Sequence, residues 1–221
     1  MANNEDWLND PLMKIGYSKS IFKYLPTNKV NEEVWDIWTS YHFTTRLKLN
    51  GADYFLRQLY GLTIRPAQLG LPNLAFNLRH WYLDAFFFEL MSAYDVLIQE
   101  LNVIYECGID SDDSQILRKV KQKLPEDLRN IIENERKKDW FKRLQQYRNT
   151  VSHRSHTPSS SGLITWGHKK WRYSDYQDNI WYFDRQSREW KYEDSKECKN
   201  YFDSMTDYIC TIWTKMKEQR F

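Results

Sequence analysis

Hydrophobic positions recur every three to four residues over several long stretches, so the chain reads as mainly helical. Asn31 is a good N-cap for the first helix, with Glu32 and Glu33 in the first turn, where the helix dipole favours acids. Val34, Ile37 or Trp38, Tyr41 and Thr45 give it an apolar stripe, and Asn50-Gly51 is the expected stop. Ala52 to Tyr60 then predicts a short helix, followed by a loop from Gly61 to Pro72. Asn73 is placed to cap the longest element, running to about Tyr105. Its apolar set, Leu74, Leu78, Trp81, Ala85, Phe88, Met91, Val96, Ile98, Leu101 and Ile104, covers more than one stripe, as in a helix central to a bundle.

An acidic turn, Gly108 to Asp113, precedes a helix that Ser114 or Asp113 can cap, and Pro125-Glu126-Asp127 reads as a fresh start. Asp139 can cap a further helix through Trp140, Phe141, Leu144 and Tyr147. After a Ser/Pro/Gly break at 155–162 the period shortens. Leu163-Ile164-Thr165-Trp166, Trp171-Arg172-Tyr173, Ile180-Trp181-Tyr182-Phe183 and Trp190-Lys191-Tyr192 are short aromatic runs, with Asp184 to Arg188 as a hairpin loop between the last two. The helical period returns from Ser195 to Lys217. The expected fold is all-α, an up-and-down helical bundle over 31–221 with a small β-hairpin insertion at about 163–193, before the last helix. Residues 1–30 form an N-terminal arm that Phe22, Tyr24 and Leu25 can pin to the body.

Composition sharpens this picture in three places. Only 7 glycines and 6 prolines in 221 residues favour long uninterrupted helices over a turn-rich β fold. Phe86-Phe87-Phe88 looks membrane-like, but Arg79, Asp84, Glu89, Asp95 and Glu100 interrupt the stretch, which excludes a transmembrane span. Cys107, Cys198 and Cys210 lack metal-ligand spacing, and no N-terminal stretch has the layout of a secretory signal. A cytoplasmic protein with no membrane partner, metal or cofactor is therefore expected. The net charge of +2 decides nothing, but residues 118–154 hold twelve Lys/Arg against five Asp/Glu, a local balance of +7 that suits a phosphate-rich partner.

The candidate chemistry sits at the end of that basic region, in Tyr147-Arg148-Asn149-Thr150-Val151-Ser152-His153. On an ideal helix Asn149 and His153 share a face, about 40° apart, so the amide can orient the imidazole. Arg148 and His153 are about 140° apart by the same geometry. They converge only if the arginine swings round or the last turn is distorted, to which Thr150, Val151 and Ser152 would contribute. Arg148, Asn149 and His153 are the candidate site residues, with Arg143, Tyr147, Ser152 and Arg154 as candidate phosphate-binding neighbours.

An Arg-Asn-x-x-x-His motif closing the penultimate long helix, within this order of helices, resembles the HEPN superfamily (higher eukaryotes and prokaryotes nucleotide-binding). The resemblance covers roughly 31–154 and 195–217 and leaves out the arm and the insertion. It implies a metal-independent endoribonuclease, working as a homodimer whose two motifs face each other. Cleavage by the RNA's own 2′-hydroxyl needs one proton removed, one given to the 5′-oxygen and charge relieved on the phosphorane. His153, with an ordinary pKa of about 6.5, can do either proton job. Arg148 can clamp the phosphate through its fork of donors. The resemblance also implies a toxin or phage-defence effector restrained by an antitoxin or other regulatory partner. In some relatives that partner modifies a tyrosine two positions after the motif histidine, where this chain has Ser155. The competing readings are a non-catalytic HEPN module that binds nucleotide, RNA or a protein partner, and a purely structural helical protein.

Overall fold

The computed structural model describes residues 31–62, 72–153, 159–161, 178–184, 187–194 and 196–220. The expected arm at 1–30 lies outside the described residues, as do the aromatic runs at 163–166 and 171–173. Helix α1 spans Glu32–Leu62. Asn31 caps it as expected: its Oδ1 accepts the Glu33 N–H at 3.1 Å, and its carbonyl accepts that of Trp35 at 2.9 Å.

The expected stop at Asn50-Gly51 does not occur, because α1 continues for another eleven residues. A glycine inside a helix costs about 1 kcal/mol relative to alanine. Each fully buried leucine returns about 1.5–3 kcal/mol, and Leu49, Leu56 and Leu59 are all buried around this point. Gly51 also suits its neighbour, since a Cβ there would lie 3.3 Å from Oε2 of Glu89.

Helix α2, Pro72–Ile104, begins on the proline rather than behind an Asn73 cap, a position where the missing N–H costs nothing. Leu83, Phe86, Phe87, Leu90, Leu97, Leu101 and Ile104 are fully or almost fully buried. Trp81 and Phe88, expected among the apolar core positions, are instead 58% and 50% exposed. They lie seven residues apart and so share one outward face. Among the described residues no helix is long and apolar enough to cross a membrane.

Helices α3 (Ile116–Lys123), α4 (Glu126–Lys137) and α5 (Asp139–His153) follow. Gln115, not Ser114 or Asp113, occupies the N-cap of α3, while Asp113 Oδ1 accepts the Gln115 N–H at 2.7 Å. Three strands form an antiparallel sheet in the order β1 (Ser159–Ser161), β2 (Asp178–Asp184), β3 (Glu189–Asp194). The β2–β3 hairpin is the expected one, its last pair Asp184↔Glu189, with Arg188 in the left-handed region at φ 58°. Strand β1 falls in the stretch expected to be a break. It pairs with 178–180, and three serines in a row leave no alternating pattern to read. Helix α6, Glu197–Arg220, ends the described chain.

The chain divides into two compact units, Met1–Leu49 with Ser92–Lys137 and Ser204–Phe221, and Asn50–Met91 with Lys138–Asp203. The first is built around Leu97, Leu101, Leu128, Ile132, Ile209 and Ile212. Its core also holds a carboxylate, Glu100, that meets His42, Thr45 and Trp213. At its edge Arg136 donates to the Tyr94 hydroxyl at 3.0 Å. Burial nonetheless pushes that phenol up to about 12. The second unit centres on Phe86, Phe87, Phe141, Leu144, Tyr147 and Ile180, and it carries the motif helix.

Candidate active site

Helix α5 buries Phe141, Leu144, Tyr147 and Thr150, a three-residue recurrence that fixes which side faces the core. The Tyr147 ring stacks on Phe87 with centroids 4.3 Å apart and planes 3° from parallel, and Tyr201 meets it edge-on at 6.0 Å. Its hydroxyl donates to Oε1 of Glu193 at 2.9 Å, an oxygen that also accepts from the Tyr201 hydroxyl. Burial, followed by the negative charge of Glu193, pushes both phenols far above the usual tyrosine range, so both remain donors. Arg143, one turn before Tyr147 on the same side, donates from Nη1 to the other oxygen of Glu193 at 2.9 Å. A single carboxylate on β3 thus holds two positions of α5 one turn apart.

This corrects the phosphate contact expected at Tyr147. The Tyr147 side chain is fully buried and cannot reach a ligand. Arg143 is turned towards the hairpin and paired with Glu193. Neither partner was legible locally, because Glu193 lies 50 and 46 residues further along the chain.

The motif lies elsewhere on the helix. Helix α5 runs unbroken to His153, so its last turn lacks the distortion that was one of the two ways for Arg148 and His153 to converge. Thr150 donates its hydroxyl back to the Gln146 carbonyl at 2.9 Å, which satisfies the side chain without opening the turn. At 100° per residue, positions 149 and 153 stand roughly 200° and 240° around from Tyr147, away from that ring. Arg148 stands roughly 100° around from Tyr147 and is, like Asn149, half-buried. Ser152 and His153 are described as helical backbone only, and Arg154 lies outside the described residues. An unbroken helix puts positions 149 and 153 on one face and position 148 on another.

One residue was overlooked. Lys142 lies seven positions before Asn149, two helical turns away and about 20° from it around the axis, so it shares the motif face. Its side chain is 55% exposed, and its ionic contact is a loose 3.7 Å to Asp139, itself 83% exposed. The helical wheel alone would have found it; reading only the motif and its nearest cations did not.

Much of the remaining basic region is engaged locally. Lys119 pairs with Asp113, and Lys121 pairs with Glu133 at 2.9 Å. Arg129 donates to the carbonyls of Lys121, Gln122 and Leu124. Among the described residues no cluster of three or more His, Cys, Asp or Glu is placed to hold a metal ion.

A family model described as Cthe2314-like HEPN matches residues 75–219, well over half of the chain and a span that includes α5. No curated protein and no solved structure matches the chain. A mainly helical fold, an Arg-Asn-x-x-x-His helix and this match agree: the chain belongs to the HEPN superfamily.

Proposed function

We propose that the chain is a metal-independent endoribonuclease whose active site forms when two copies bring their α5 motif faces together. The observation that carries this reading is the unbroken α5 helix, which puts positions 142, 149 and 153 on one face. His153 removes the 2′-hydroxyl proton in one copy, and its counterpart protonates the leaving 5′-oxygen, giving a 2′,3′-cyclic phosphate and a 5′-hydroxyl. Asn149 orients the imidazole. Arg148 neutralises charge on the phosphorane. The separation of about 140° between Arg148 and His153 along one helix makes a second copy physically useful. It can supply the arginine or the second imidazole from across the phosphate.

The test is cleavage of total RNA and tRNA by the purified protein in EDTA, beside His153→Ala. Cleavage that leaves 2′,3′-cyclic phosphate ends and is lost in the variant supports the reading. A monomer that binds RNA without turnover overturns it. That result would favour a non-catalytic HEPN module, since one copy alone presents Arg148 and His153 to different sides.

Lys142 gives a second test. Lys142→Ala is expected to weaken RNA binding and lower the slope of log affinity against log salt by about 0.7, one phosphate contact on a single strand. Lys196→Ala removes a charge that is 83% exposed in the turn before α6 and is expected to leave the slope unchanged. An unchanged slope for Lys142→Ala places the RNA on another surface.

A further inference from the structure

Glu193 is a nearly buried carboxylate, its side chain 10% exposed, at a place where packing alone asks for an apolar residue. Removing a charge from water is costly, and a hydrophobic residue of similar size often serves stability as well or better. What a carboxylate adds is direction. Oε1 accepts from Tyr147 and Tyr201, and Oε2 accepts from Arg143. The donors at 143 and 147 are one turn apart on α5, so satisfying both sets the helix's axial position and its roll together. Ile180, directly across the hairpin from Glu193, is fully buried, and its carbonyl lies 3.4 Å from the Tyr147 hydroxyl. At the far end of β2, Asp184 holds Lys191 and lies 3.5 Å from Gln146 Nε2, a third tie between α5 and the hairpin.

We propose that Glu193 is the positioning residue of the motif, and that the inserted hairpin acts as a brace setting the roll of α5. This rests on the ribonuclease reading for its catalytic consequence. Side-chain atoms stand about 5–6 Å from a helix axis, so a roll of about 10° moves the Asn149–His153 face by about 1 Å, a misplacement that can cost about 100-fold in rate. The Glu193 contacts, at Arg143 and Tyr147, lie about 80–160° around α5 from positions 149 and 153, while Gln146 lies within about 20° of position 153.

The experiment compares Glu193→Met, which keeps bulk but offers no acceptor, with Glu193→Gln, which keeps an acceptor oxygen for the tyrosines. The readouts are cleavage kinetics and hydrogen exchange of the amides at 147–153. Glu193→Met is expected to lower kcat by about 10- to 100-fold with KM within about twofold. It is also expected to speed exchange at 147–153 while leaving 116–137 unchanged. Glu193→Gln is expected to recover most of both. Wild-type kcat and wild-type exchange in the methionine variant overturn the proposal, and so does faster exchange without loss of kcat. Should the methionine variant not fold, Tyr147→Phe removes one of the donors without opening a cavity, and unchanged exchange and kcat there overturn it equally. A wild-type chain with no ribonuclease activity overturns the nuclease reading only, because exchange decides the brace by itself.

Discussion

His153→Ala is expected to lower the rate of RNA cleavage by about 10²- to 10⁴-fold, the span a positioned general acid–base contributes, with RNA affinity nearly unchanged. Arg148→Ala is expected to lower both rate and affinity. The division follows from where the motif lies. A helix C-terminus carries about half a negative charge, which stabilises an imidazolium at position 153 but repels a phosphate. On the proposed reading Arg148 and Lys142 reverse that local field, which a neutral imidazole does not do. Removing the arginine therefore removes ground-state attraction and transition-state stabilisation together, whereas removing the histidine takes away proton transfer alone. Filter binding and single-turnover cleavage on one RNA separate the two effects, and equal loss of affinity in both variants would sink the assignment. Two imidazoles working in opposite protonation states also give a bell-shaped dependence of kcat/KM on pH. A profile with a single limb would remove the second histidine from the mechanism.

The motif was legible in the sequence because its geometry is local. Positions 149 and 153 are four residues apart, and a helical period was enough to place both on the α5 helix. The Asn31 cap and the β2–β3 hairpin were legible for the same reason, each being set by neighbours within a few residues. What was not legible depends on partners far along the chain. Tyr147 and Arg143 looked like phosphate contacts beside a motif. Both are tied to Glu193, a carboxylate on a strand beyond the break that nothing near position 147 announces. Helix α1 passed through Asn50-Gly51 because buried leucines on either side outweigh a cost of about 1 kcal/mol, a comparison that needs burial to be known. Strand β1 was invisible because three serines in a row carry no alternation of apolar and polar residues.

Glu100→Ala is expected to be the most destabilising single substitution, by about 3–5 kcal/mol, the usual cost of breaking a buried charged network by removing one member. Glu100 is fully buried in α2. Its Oε2 receives His42 Nδ1 at 3.1 Å and Trp213 Nε1 at 3.0 Å, while Oε1 receives the Thr45 hydroxyl. The imidazole of His42 packs against Trp38 at 4.9 Å and Trp213 at 4.3 Å, so it has little room to seek another acceptor. Alanine would leave three donors from α1 and α6 facing a cavity. Thr45 alone has a substitute, the Tyr41 carbonyl at 3.2 Å. A loss of this size is a large part of the 5–15 kcal/mol that holds a typical domain together, so urea unfolding should show the midpoint collapse. Glu100→Gln, which keeps the volume and one acceptor, is expected to cost less than half as much. If alanine and glutamine cost the same, the charge rather than the acceptors holds the three helices. If the double change His42→Leu with Glu100→Met restores wild-type stability, the network serves to align α1, α2 and α6 rather than to stabilise them.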